Sequence, residues 1–289
     1  MSKTIQSTNF KDIVQDIESF YVDNAVSAWC PWAGKALKYK PLSVEQIKRF
    51  IELQVKAQNN DNHVVASFDL IDAMNTVVVD NCLDSDSSLL KNLSVLDRET
   101  IVVQLRAYTK PELEVIDDSN ETVVVDLNRV VSDLKGQKLP KSLKGGKDVV
   151  FDFGDNSIVL TLELPTLYKD TLINNFFKNR VKSKFKKGNK QIEKDLDKFL
   201  GEIYFIELCK YINALTIKKD GEDTVIRFDS TDTLNQSLQL LEKLPSNIIG
   251  GISSFVNEIK EFRDGFLTYT DSNNNQTSLD VDANIFTGI

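Results

Sequence analysis

Apolar residues recur at helical spacing close to the start of the chain. This spacing predicts an amphipathic helix over residues 9–23, with Asn9 as its cap. The stripe consists of Phe10, Ile13, Val14, Ile17, Phe20 and Tyr21. Such a stripe is stable only when it is buried, either against the rest of the chain or against a neighbouring subunit. We therefore expect residues 1–23 to form an N-terminal extension that contacts a partner through Phe10, Ile13, Ile17 and Phe20.

The next part of the chain has the pattern of one hairpin followed by three helices. Residues 24–41 alternate apolar and polar positions up to Pro41, which predicts a short hairpin. A capping-box pattern at residues 43–46 predicts a helix, with Ser67 and Ser94 opening two more. In the first of these helices, one face is predicted to comprise Val44, Ile47, Phe50, Ile51 and Val55.

The middle of the chain has the period-two pattern of strands. Two hairpins are predicted, one around the polar turn 117–120 and one around the turn 154–156. Leu127 is assigned to the second strand of the first hairpin, because it continues the alternation of Val123 and Val125. Residues 135–147, which contain Lys, Gly and Pro, are predicted to be a loop.

Helical spacing returns in the last third of the chain. Two helices are predicted from Thr166 to Ile212, with a break at residues 188–189. The remaining predicted elements are a hairpin at 215–228, helices near 232–243 and 247–262, a terminal hairpin at 267–281 and an apolar tail with Ile285 and Phe286. We expect the tail to be another contact surface for a partner.

These patterns predict an α+β fold in which helical segments are interleaved with several short antiparallel β-hairpins. The predicted division is an extension at 1–23, an α+β domain at 24–165 and a mainly helical domain at 166–289 that ends in a hairpin and the apolar tail. Apolar residues make up 41% of the 289 residues and include sixteen phenylalanines, which is enough to form a core.

Net charge and hydropathy argue against two classes of partner. The formal net charge of −8 disfavours nucleic-acid binding, because a phosphate backbone repels an acidic protein. Apolar runs such as residues 77–79 and 123–125 are too short to cross a membrane. The N-terminal residues contain no apolar signal-peptide segment, so we expect synthesis and folding in a cytoplasm.

The residues that usually carry chemistry do not form a recognisable set. His63 is the only histidine, and Cys30, Cys82 and Cys209 are far apart and interpreted as small buried residues. The glycine pairs 145–146 and 250–251 lack phosphate-binding spacing, which favours turns or helix packing. We predict no catalytic residue, cofactor or metal site, although the many carboxylates leave an acid–base pair open as an alternative.

One segment imitates a calcium-binding loop. Asp271, Asn273 and Asn275 alternate, and Asp282 follows at the twelfth position. Calcium loops of this type need glycine at the sixth position and helices on both sides. Here Gln276 is at the sixth position between predicted strands, so we interpret the segment as a polar hairpin turn.

Basic residues are concentrated in one stretch of a predicted helix. The stretch contains Lys178, Arg180, Lys182, Lys184, Lys186, Lys187 and Lys190. Three interpretations stay open: a solvated helix face, a docking face for an acidic partner protein, and a nucleic-acid contact. Phe185 is the only aromatic residue among them and fits the buried stripe of the helix, which counts against base stacking.

Several short motifs occur in a recognisable order. They comprise residues 33–45 (AGKALKYKPLSVE), 77–82 (VVVDNC), 104–109 (QLRAYT), an apolar strand ending at Pro165, the turn 220–222 (DGE), acidic and apolar helices at 229–241 and 252–256, and the tail 284–286. Over about residues 24–289, this order resembles the T4-type bacteriophage baseplate hub and baseplate assembly protein family. The helix at 9–23 is an addition, and the terminal hairpin lacks the cysteines of a metal knuckle found in many members, so metal binding is not implied.

The resemblance implies a structural subunit of the tail baseplate, in the hub region of a contractile-tailed phage. Such a protein is no enzyme: it would bind other baseplate or tail proteins in a hetero-oligomeric assembly and would reside in the virion after synthesis in the host cytoplasm. An assembly chaperone that leaves before maturation fits the same resemblance. A hub-associated hydrolase is a third alternative, which the missing catalytic motifs disfavour.

The basic stretch generates the first prediction. Charge reversal at Lys182, Lys184 and Lys186 is expected to weaken binding to an acidic partner, with a strong dependence on salt. Pull-down of partner proteins from infected cells at low and high salt measures this effect. Unchanged binding at low salt would contradict the docking role.

Overall fold

Helices and short antiparallel hairpins alternate along the chain, so the fold belongs to the predicted α+β class. The computed structural model describes residues 10–59, 63–84, 92–185, 201, 204–228, 231–281 and 283–286. The helices are α1 (Phe10–Asp23), α2 (Val44–Asn59), α3 (His63–Asp80), α4 (Val95–Thr109), α5 (Leu127–Leu134), α6 (Lys141–Lys144), α7 (Leu167–Phe185), α8 (Thr231–Leu241) and α9 (Asn247–Asp264). Residues 204–209 are also helical, and a short 3₁₀ helix covers Ala283–Phe286.

The strands form hairpins and one larger sheet. They are β1 (Val26–Cys30), β2 (Lys35–Tyr39), β3 (Glu112–Ile116), β4 (Thr122–Asp126), β5 (Lys147–Phe153), β6 (Asn156–Leu162), β7 (Ile212–Lys219), β8 (Glu222–Arg227), β9 (Thr268–Thr270) and β10 (Gln276–Ser278). The pairs β1–β2, β3–β4 and β9–β10 are two-stranded, and β5-β6-β7-β8 is a four-stranded antiparallel sheet.

The four-stranded sheet crosses the domain boundary expected at residues 165–166. Strand β6 precedes this boundary and β7 follows it, yet the two are hydrogen-bonded neighbours. Ile212, predicted to end a helix, begins β7 and is fully buried. One cluster of buried apolar side chains extends from Ala28 to Phe286. The structure therefore does not separate 24–165 from 166–289, because the sheet and the core need residues from both.

Two helix starts carry the capping chemistry that the sequence predicts. The backbone N–H of Gln46 donates to the Ser43 hydroxyl at 3.2 Å, and the Ser43 N–H donates to the Gln46 side chain at 3.0 Å. Ser94 and Asp97 form the same reciprocal pair at the start of α4. Helix α3 starts at His63 instead of Ser67, because a serine inside a helix has the same sequence signature as a cap.

Helices α5 and α6 were missed by the sequence analysis. The Asp126 carboxylate accepts from the Asn128 N–H at 2.9 Å and caps α5, whose buried face consists of Leu127, Val130 and Leu134. Leu127 was assigned to a strand, because one apolar residue fits both the strand period that ends there and the helical period that begins. Helix α6 buries Leu143 within the predicted 135–147 loop.

Two glycines confirm the interpretation of the glycine pairs as turn and packing positions. Gly146 has a φ of +77°, and a side chain there would approach the Leu162 carbonyl oxygen to 2.7 Å. A Cβ at Gly251 would come within 2.6 Å of Val149 Cγ1, so α9 can lie against β5 only through a glycine.

The C-terminal tail is part of the core. Ile285 and Phe286 are each 1% exposed, and the Phe286 ring stacks on Phe50 with centroids 3.8 Å apart. The buried guanidinium of Arg106 donates through Nε to the Ile285 carbonyl oxygen at 2.8 Å. The prediction that Ile285 and Phe286 contact a partner is therefore wrong, because the α2 and α4 side chains of the same chain already cover them.

The buried tail generates a stability prediction. Phe286→Ala removes the ring stacked on Phe50 and is expected to lower the free energy of unfolding by about 3–5 kcal/mol. Urea unfolding measures this change. The matched control is Phe153→Ala, because Phe153 is 51% exposed and its loss should cost far less. Equal effects of the two substitutions would contradict the placement of the tail in the core.

Candidate interaction surfaces

The apolar stripe of α1 is open to solvent. Phe20 is 63% exposed and Ile17 48%, and Ile13 and Val14 are also exposed. The side chain of Phe10 lies outside the described part of the chain. Contiguous exposed apolar residues on one helix face are typical of a binding surface. The structure thus places Ile13, Ile17 and Phe20 where a partner can reach them, and their role in binding stays a prediction.

Helix α2 carries a second exposed stripe, which the sequence analysis assigned wrongly. Val44, Ile51 and Val55 were predicted to share the face of Phe50, yet they are 82%, 39% and 49% exposed. Phe50 is buried instead together with Leu53, on the side of α2 that meets α3 and the tail. Helical spacing is compatible with burial of either face of α2. The polar residues between the two faces do not indicate which one is buried.

A charged groove of about 580 Å³ runs beside α2. Its α2 wall carries both signs of charge, with Lys48, Arg49 and Lys56 beside Glu45 and Glu52, and Lys178 of α7 also lines it. The Lys178 ammonium is 2.6 Å from an Asp69 carboxylate oxygen and also pairs with Asp72. These carboxylates raise the pKa of Lys178 against the opposing effect of burial.

Lys178, the first residue of the basic stretch on α7, is therefore not available to dock a partner. Lys178 was predicted to bind a partner, but its side chain is only 12% exposed and already neutralised by Asp69 and Asp72. Arg180, Lys182 and Lys184 lie on the α7 backbone, and their side chains are outside the described part. Lys186, Lys187 and Lys190 fall outside the described residues altogether. For these residues the docking face stays a prediction.

A buried carboxylate joins the helices behind these surfaces. Asp170, at the start of α7, is 2% exposed, and its oxygens accept from Arg98 of α4 at 2.7 Å and from Lys210 at 2.9 Å. The amide of Asn75 on α3 donates to the same carboxylate at 3.1 Å. Lys210 also pairs with Glu207 at 2.9 Å. The two cations and these hydrogen bonds hold the pKa of Asp170 at about 2, although burial alone would raise it.

The Asp170 network is enclosed by the elements that it joins. Each polar partner of Asp170 named above is itself buried or half-buried between helices. A small neighbouring pocket of about 180 Å³ is lined by Lys210, Glu163 and Asn213. In that pocket the Asn213 amide donates to Glu163 at 2.9 Å, which occupies part of its polar lining. The arrangement fixes the packing of α3, α4 and α7.

Several residues of the short sequence motifs have structural roles. The Gln104 side chain accepts from the Trp29 N–H at 2.7 Å and donates to the Trp29 carbonyl at 3.0 Å, joining α4 to β1. Arg106 donates to the carbonyls of Ile285 and Glu112. The Asn81 amide donates to the carbonyls of residues 40 and 41, which anchors the end of α3 beside β2.

The calcium-like segment is a hairpin turn, as the sequence interpretation has it. The Asp271 carboxylate accepts from the backbone N–H groups of Asn273 and Asn275 at 2.9 Å and 2.7 Å. The N–H of Ser272 donates to the Asp117 carboxylate at 3.0 Å, so this turn is hydrogen-bonded to the β3–β4 turn. The bonds from Ser272 hold the pKa of Asp117 at about 2. Asp282 lies outside the described residues.

The cysteines fit their interpretation as small packing residues. Cys30 and Cys209 are buried and Cys82 is half-buried. Burial raises the pKa of Cys209 to about 12, which leaves it a thiol. Among the described residues, no group of His, Cys, Asp and Glu side chains is placed to hold a metal ion. The described helices include none with the length and apolar character of a membrane span.

Comparisons with protein-family models, with curated proteins and with solved structures found no match for this chain.

The Asp170 network generates a pH prediction. Because its pKa in the folded state lies below the usual 3.8, Asp170 stabilises the fold above that pH and loses this contribution as the pH falls towards 2. Asp170→Asn leaves two buried cations without their carboxylate and is expected to cost about 3–5 kcal/mol at neutral pH. Urea unfolding at a series of pH values measures both effects.

The difference between Asp170→Asn and the unchanged protein should shrink as the pH approaches 2, since the native carboxyl is then protonated as well. Asp152→Asn is the matched control, because Asp152 is exposed on β5. A pH-independent difference, or an equal effect of the control, would contradict a charged Asp170 in the core.

Proposed function

We propose that this chain is a non-catalytic structural or assembly component of the tail baseplate of a contractile-tailed bacteriophage, in the hub region. It acts through protein–protein contacts. The observation that carries the proposal is the exposed apolar stripe of α1, in which Ile13, Ile17 and Phe20 lie on one open helix face. Burying such a face is a dominant favourable contribution to association.

The family resemblance gives the proposal its biological setting. Its motifs fall on folded elements in the expected order: residues 33–45 on the first hairpin and the start of α2, 77–82 at the end of α3, and 104–109 on α4. The turn 220–222 joins β7 to β8, and 252–256 lies on α9. This agreement supports a shared architecture, and the baseplate assignment rests on the motif order.

Mutation of the α1 stripe tests the proposal in the phage that encodes the protein. The double variant Ile17→Glu/Phe20→Glu places charges on the stripe without touching the core, and it should reduce the yield of infectious particles at least about tenfold through lost association. Plaque counts after complementation measure the yield. The control is Val150→Glu, a 53% exposed valine on the outer face of the four-stranded sheet.

Mass spectrometry of purified particles and of infected lysate locates the protein. Presence in particles supports a virion subunit, whereas presence only in assembly intermediates supports the assembly role. A protein found in neither, with normal plaque counts for the double variant, would refute the proposal.

A further inference from the structure

The four-stranded sheet has two edge strands, β5 and β8, because its strand order is β5-β6-β7-β8. Strand β8 is open to solvent: residues 222–225 and Arg227 are exposed, and Val225 is 53% exposed. Among the described elements, β7 is the one in extensive contact with β8. The side of β8 that faces away from β7 can therefore accept another strand.

The backbone of β8 alternates between bonding to β7 and facing the open edge. The Phe228 N–H donates to the Asn213 carbonyl oxygen at 3.1 Å, which sets the alternation along this antiparallel pair. The N–H and C=O groups of Asp223, Val225 and Arg227 therefore point away from β7. A strand laid along this edge would meet a donor and an acceptor at each of these three residues.

The β8 edge is self-complementary in one antiparallel register. When Val225 lies opposite Val225 of a second copy, Asp223 lies opposite Arg227 in both directions, with the paired side chains on the same face. Each of these pairs can exchange two backbone hydrogen bonds, since all three residues point outward. Shifting the register by two residues separates Asp223 from Arg227, and shifting it by four places like charges opposite each other. Lys218, the cross-strand neighbour of Asp223 on β7, extends the row of alternating charge.

The other edge of the sheet carries charges that oppose such pairing. By the same alternation from the two-residue turn 154–155, the outward residues of β5 are Asp148, Val150 and Asp152. Two β5 strands paired about Val150 would place Asp148 opposite Asp152 twice, and like charges in these positions are destabilising. A β5 strand paired with β8 through their valines would place Asp152 opposite Asp223. Of the two edges of this sheet, charge therefore selects β8 of a second copy as the partner of β8.

We propose that this chain forms a two-fold dimer in which β8 of each copy pairs antiparallel with β8 of the other. The contact joins the two four-stranded sheets into one continuous sheet. Charged residues on an edge strand usually prevent such pairing, but here Asp223 and Arg227 attract their counterparts across the two-fold axis. The dimer goes beyond the proposed function and does not rest on it, because it needs only the purified chain.

Sedimentation velocity of the purified full-length protein over a wide concentration range tests the dimer. The expected result is a reversible equilibrium between monomer and dimer. Val225→Pro removes a central outward N–H without removing a bond to β7, and it should weaken the dimer about tenfold or more. The matched control is Val150→Pro, which makes the same change at an equally exposed outward position of the other edge strand.

An exchange of charge identifies the register. Asp223→Lys or Arg227→Glu alone places like charges opposite each other twice in the dimer and should weaken it about tenfold or more. An equal mixture of the two variants should instead form a mixed dimer, because both of its charge pairs are then of opposite sign. Asp152→Lys, at an exposed outward position of β5, is the matched control for Asp223→Lys. Circular dichroism confirms that the variants fold.

A monomer at every concentration would overturn the inference and would leave the β8 edge to a strand of a different protein. A dimer that is insensitive to Val225→Pro, or equally sensitive to Val150→Pro, would overturn it as well. The register would be refuted if the mixture of Asp223→Lys and Arg227→Glu associated no more strongly than either variant alone.

Discussion

The buried carboxylate of Asp170 constrains how the helices of this protein can meet. An ionised carboxylate is stable in a protein interior only when cations and hydrogen-bond donors surround it. Arg98 of α4, Lys210 before β7 and Asn75 of α3 supply these groups to Asp170 at the start of α7. Sliding any of these segments by one turn would leave a buried charge unpaired, so the network fixes their relative positions as apolar packing alone would not.

A further buried cation, Arg106, joins the middle of the chain to its last described residues. The guanidinium of Arg106, eight residues after Arg98 on α4, holds the carbonyl of Ile285 while Phe286 stacks on Phe50. The last described residues thus complete a core that begins with the first hairpin. Because α4 carries both Arg98 and Arg106, it links the ionic network on one part of its surface to the tail on another. Contacts between residues that are far apart in the sequence therefore decide which side chains of the folded chain are buried.

This dependence on distant residues explains what the sequence could and could not predict. The capping box at Ser43, the cap at Ser94 and strand alternation are local signals, and they located the starts of α2 and α4 and the hairpins. Whether a stripe is buried depends on what lies opposite it. The sequence indicated the periodicity of α2 but not that Phe50 faces the core while Val55 faces solvent. For the same reason, the pairing of Lys178 with Asp69 and Asp72, from another helix, had no local signature.

Several residues of the family-like motifs have structural roles, whereas the exposed α1 stripe lies outside the motif order. Gln104, Arg106 and Asn81 occur in the motifs, and each serves the packing of the body. Residues with such roles specify a fold, and a shared fold does not by itself specify a function. The α1 helix lies outside the motif order, and its Phe20 is exposed on a body whose other large apolar side chains are mostly buried. The proposed association therefore rests on the α1 stripe, which the motifs do not include.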